Sequence, residues 1–166
     1  MTAHPTDGRL AWLCADPGRL RTLAEIWATV DLERSLAGLR TPTATGSAGA
    51  NPDPATIDPG HAAEDPLLGA RVLVLTTDDG RRIALAEPST EGRLAGTLAR
   101  HGEGHVGAYL EAPVDLDVVG ARAAAANVSL SRPAFGPFGR SVLVLPGKLT
   151  GELLILVERP AVPSPA

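Results

Sequence analysis

Aromatic side chains are scarce in this chain: two tryptophans, two phenylalanines and one tyrosine make up 3% of its 166 residues. A site that grips a large planar molecule by stacking is therefore not expected. The single cysteine, Cys14, excludes an internal disulfide and agrees with a reducing compartment; with no adjacent base or helix start evident it reads as a small buried apolar residue. Basic residues are outnumbered, 15 Lys and Arg against 19 Asp and Glu, and the net charge of −4 gives no footprint for nucleic acid. No apolar run approaches the roughly 18 residues that would suggest a membrane span. The opening MTAHPTDGRL lacks the charged and apolar regions of a secretory signal, so the expected location is cytoplasmic.

What remains is a single-domain length rich in glycine (18) and proline (15). Weak alternation in RLAWLCA, residues 9–15, suggests a first strand, and Asp16-Pro17 a helix start. Leu20, Leu23, Ile26, Trp27, Val30 and Leu39 then recur at helical steps, which predicts an amphipathic helix to Leu39. Thr41 to Pro66 combines five prolines with Gly, Ala and Ser, the composition of a mobile loop. ARVLVLTT and RRIALAE are two strands, with Asp79-Gly80 as a hairpin signal. A helix capped by Ser89 or Thr90 and closed by Gly102 follows, then a strand over 105–111 and a helix over 115–127. Three short strands near 128–132, 140–146 and 151–158 complete the series. The expected organisation is a flexible start (1–8), one domain (9–158) with modules at about 9–88 and 103–158, and a disordered tail (159–166).

Two stretches carry a resemblance. Glu87-Pro88 is followed by a helix, by His101-Gly102-Glu103-Gly104 and by a strand opening at His105; Pro146, Lys148 and Gly151 then precede a closing strand. In order and spacing these resemble the vicinal-oxygen-chelate superfamily, which includes glyoxalase I and methylmalonyl-CoA epimerase. The resemblance implies an α+β fold in which two βαβββ modules form a curved mixed-sheet cup with helices outside. It also implies a divalent ion held by four inward side chains, and matching residue by residue puts Arg9, Ala84, Gly107 and Ile155 at those positions. Methyl groups, a guanidinium and a glycine offer no donor to a metal, so no metal and no other cofactor is expected.

The two-residue period of strands says what fills the cup instead. His105, Tyr109 and Glu111 share a face with Gly107, and Arg82 shares one with Ala84. This gives an apolar pocket with a few polar groups, the usual make-up of a small-molecule site. Two functions follow from the resemblance and these residues. In the first, a metal-independent isomerase, cyclase or lyase of secondary metabolism acts on a carbonyl-containing metabolite. His105, Tyr109 and Glu111 would move protons there, while Arg9, Arg82, Ala84, Gly107 and Ile155 would line the substrate. In the second, the chain binds or sequesters a small molecule such as an antibiotic without catalysis. A scaffold whose cup is packed shut is a third option. The expected partner is a small-molecule metabolite, with neither nucleic acid nor membrane, and a homodimer is an allowed assembly.

Overall fold

The computed structural model describes residues 10, 12–13, 20–40, 62–77, 79–145 and 152–160. Eight strands and three helices occur in the order β1 (Arg21–Ala28), α1 (Leu32–Arg40), β2 (Ala63–Asp65), β3 (Ala70–Thr76), β4 (Arg82–Pro88), α2 (Arg93–His101), β5 (Gly104–Glu111), α3 (Leu116–Ala125), β6 (Ala134–Gly136), β7 (Gly139–Val144) and β8 (Leu153–Val157). They form one mixed sheet with strand order β2-β3-β4-β1-β5-β8-β7-β6, so the first strands of the two halves, β1 and β5, meet antiparallel at its centre. Each half repeats strand, helix and three strands, as the resemblance implied. The sheet curls until its edges approach: a Cβ added to Gly136 of β6 would stand 3.2 Å from the Asp65 carboxylate of β2.

The convex face is covered by helices. Leu32 and Leu36 of α1 pack on Leu73, Leu75 and Leu85, while Leu116 and Val119 of α3 pack on Leu110, Val142, Leu154 and Leu156. Asp115 starts α3 by accepting from the amides of Asp117 and Val118. The concave face carries Ala24, Ile26, Ala28, Val72, Ala84, Ala86, Tyr109, Leu143 and Ile155, and α2 adds Leu94 to them. With α2 following β4, this helix closes the end of the cup where β1 and β4 finish.

Several expectations need correction. The expected helix over 17–39 is β1 and α1, because Ala24, Ile26 and Ala28 alternate with Leu23, Glu25 and Trp27 and pair with β4 and β5. The expected strand over 9–15 is, where described, a turn in which the Leu13 amide donates to the Leu10 carbonyl and both leucines pack beneath α3. Residues 63–65 of the expected loop form β2, and residues 41–61 lie outside the described set. The strand placed at 128–132 is a single bridge, Leu130 to Val144, with β6 at 134–136. Gly92, not Ser89 or Thr90, caps α2. The hairpin at Asp79-Gly80, with Gly80 at φ +79°, and the α2 stop at Gly102, φ +76°, are as expected.

Candidate functional site

The floor of the cup is apolar and closed. Ala84, Ile26 and Ile155 each have 0% exposure. Gly107 is buried opposite Ile26 on one side and Leu153 on the other. No side chain fits there: a Cβ would overlap the Leu153 carbonyl oxygen and lie 2.8 Å from the Leu153 amide nitrogen. At this position β5 therefore passes the Leu153 backbone more closely than any residue but glycine permits. Of the four positions the resemblance gives to metal ligands, Ala84, Gly107 and Ile155 offer no donor, and Arg9 lies outside the described residues. Once β1 is located at 21–28, its cup-facing positions are Ala24, Ile26 and Ala28, which are no better as ligands. No group of three or more His, Cys, Asp or Glu is gathered as a metal site among the described residues. At these positions the described residues supply no donor set for the ion of the chelating members.

Tyr109 brings a hydroxyl into this interior. Its ring is fully buried, 5.0 Å from that of Phe138, and its hydroxyl donates to Asp65 Oδ2 at 2.5 Å. Asp65 is itself 1% exposed and also accepts from the Leu67 amide through Oδ1 at 2.8 Å. Burial, then the Asp65 charge and hydrogen bond, push the phenol well above its ordinary pKa. The pair ties β5 to β2 across the interior. Asp65 was missed in the sequence because it sat inside an apparent loop.

The other expected site residues do not converge with Tyr109. A register shift between Ile26 and Trp27 turns Val106 into the cup, and His105 pairs instead with Trp27. The two rings meet edge to face at 6.0 Å on the outer surface, where both are exposed. Glu111 keeps its predicted face but accepts from Arg159 Nε at 2.8 Å. Across the β1–β5 ladder its partner is Arg21. Arg82 is exposed at the start of β4, and strand alternation gives it the side of Ala84. Glu103, in the motif that carried the resemblance, is a clasp between the halves: its carboxylate accepts from the Thr29 hydroxyl (3.0 Å), the Val30 amide (2.9 Å) and Arg34 (3.1 Å).

Among the described residues, an opening lies at the end of the cup away from α2. A cleft of about 460 Å³ lies where residues 21–25 of β1 pass the β3–β4 turn and the first residues of β4, 80–83. Arg21, Arg81 and Arg82 line it together with Thr22, Glu25 and the apolar surface of Leu23, Ala24 and Ile83. Arg81 is held by Asp79 at 3.0 Å. Arg21 and Arg82 have no ion-pair partner among the described residues. The parallel pairing of β1 with β4 begins only at Glu25 and Ile83, which leaves this end of the sheet open.

No family model matches the chain, and no curated protein matches it. Solved structures do. A methylmalonyl-CoA epimerase variant from Streptomyces coelicolor, in complex with 2-nitronate-propionyl-CoA, superposes with a TM-score of 0.63 at 23% identity, covering 85% of this chain and 98% of that one. The epimerase of Mycobacterium tuberculosis gives 0.64 at 20%, covering 82% and 86%. A hypothetical protein of Bacillus halodurans gives 0.64 at 14%, covering 89% and 99%. Identities this low speak to the fold, and together with the two repeated halves, the curled sheet and the strand order they establish that this chain has the vicinal-oxygen-chelate fold.

Proposed function

We propose that the protein is a metal-independent binder of a small metabolite that enters the cup at the β1–β4 cleft. The observation that carries this reading is the state of the cup floor. The positions facing its centre hold buried alanine, isoleucine and glycine, and the two buried hydroxyls on that side are both engaged, Tyr109 by Asp65 and Ser141 by the Gly139 carbonyl. A proton-transfer site needs an acid or base within hydrogen-bond reach of the reacting atom. Neither His105, on the outer surface, nor Tyr109, capped inside, meets that need, whereas the cleft offers volume, apolar wall and polar groups in the proportions of a ligand site.

A second reading is a metal-free isomerase, cyclase or lyase, and Glu111 is what favours it. This carboxylate faces the cup beside Arg21, and release from Arg159 would free it as a base. Deuterium exchange separates the two. Short acyl carboxylates, their amides and acyl-CoA thioesters are titrated in D2O and followed by NMR. Saturable binding without exchange of the hydrogen next to the carbonyl is the expected result. Exchange that disappears in Glu111→Gln establishes the enzyme instead, and the absence of saturable binding by every probe overturns both. His105→Gln should leave binding unchanged.

A further inference from the structure

Resting on the binding reading, we infer that the cleft between β1 and β4 recognises the anionic end of a small organic molecule, a carboxylate or a phosphate monoester, through Arg21 and Arg82. Three guanidinium groups line this opening in a chain whose net charge is −4, so the local sign opposes the global one. The charges are not equivalent. Asp79 occupies Arg81, and Glu25, a wall residue of the cleft, has an interaction of its own. Arg21 and Arg82 come from neighbouring parallel strands and flank the open end, and neither forms an ion pair among the described residues, since Glu111, across the ladder from Arg21, is taken by Arg159. Guanidinium groups so placed suit oxyanions, because their planar N–H forks match two oxygens at once. Leu23, Ala24 and Ile83 add apolar wall. A cleft of about 460 Å³ has room for more than a bare inorganic ion. The ligand is then amphipathic: its anion lies at the arginines and its carbon chain along β1 toward the packed floor.

Three probes of one chain length test this: hexanoate, hexyl phosphate and neutral hexanamide, titrated into the full chain by NMR. Either anion should bind at least about tenfold more tightly than hexanamide, since each charge-assisted hydrogen bond is worth about that factor or more. The tighter of the two names the anion. Arg21→Gln and Arg82→Gln should each weaken anion binding about tenfold and leave hexanamide unaffected. Added salt should weaken it too. Arg100→Gln, on exposed α2 and away from the cleft, is the control and should change nothing. Equal binding of hexanamide, or full affinity in both cleft variants, overturns the anion assignment while the binding reading stands. No binding of any of the three overturns the binding reading with it. The melting temperature of each variant, compared with that of the native chain, shows whether a loss is local.

Discussion

Removing one oxygen atom tests the account of the cup interior. In Tyr109→Phe the ring keeps its volume and its contact with Phe138, so little packing is lost, but Asp65 Oδ2 loses its donor in a place solvent does not reach. A buried acceptor left unsatisfied costs about 1–3 kcal/mol. At about 2–4 °C per kcal/mol for a chain of this size, the melting temperature should fall by about 2–12 °C. The same contact makes a pH prediction. Folding raises the phenol's pKa, so the fold favours the neutral form. That stabilisation is complete below the unfolded tyrosine value of about 10 and is lost as pH rises beyond it. Tyr109 is the only tyrosine in the chain, so tyrosinate absorbance reports this residue alone. Tyrosinate should appear only together with the loss of circular dichroism on alkaline unfolding. A phenol that ionises near its ordinary value while the fold persists would refute the clasp. So would a Tyr109→Phe chain as stable as the parent.

Gly107→Ala should cost more than about 3 kcal/mol or prevent folding, because the obstacle is the Leu153 backbone and not a movable side chain; chemical denaturation or soluble yield reads it. Glu103 is held below the ordinary glutamate pKa by the Val30 amide, the Thr29 hydroxyl and Arg34. Its stabilisation is therefore present above that ordinary value and lost as pH falls through the lowered one. Thermal melts of the native chain and Glu103→Gln should differ at neutral pH and converge in acid. Elemental analysis of the purified chain should find no stoichiometric divalent metal, and a chelator should leave its melting temperature unchanged; one ion per chain would contradict the donor-poor floor.

Much of the chain from β3 onward was legible because its signals are local and strong. The helix expected near 115–127, the stop at Gly102, the Asp79-Gly80 turn and the apolar runs of β5, β7 and β8 each speak for themselves. The first half was misread at β1. Leu20, Leu23, Ile26, Trp27 and Val30 satisfy a helical period, while the strand's buried face is alanine at positions 24 and 28, too small to register as a hydrophobic stripe. Only pairing with β4 and β5 decides between the two periods, and pairing is tertiary. The same limit explains His105. A strict alternation from Gly107 puts it in the cup, and one bulge at Val106 reverses it. The apolar floor was anticipated at Ala84, Gly107 and Ile155. Its polar plug at Asp65, and the arginine at position 21, were not.

The contact between Gly107 and the Leu153 backbone also bears on what could be built from this scaffold. Installing histidine or glutamate at Ala84 or Ile155 changes a side chain; installing one at Gly107 first requires β8 to shift away from β5, and β8 is sandwiched between β5 and β7. A designer seeking a chelating centre would have to rebuild that strand spacing before choosing ligands, so the route back is a problem of backbone, and a library of point substitutions will not traverse it.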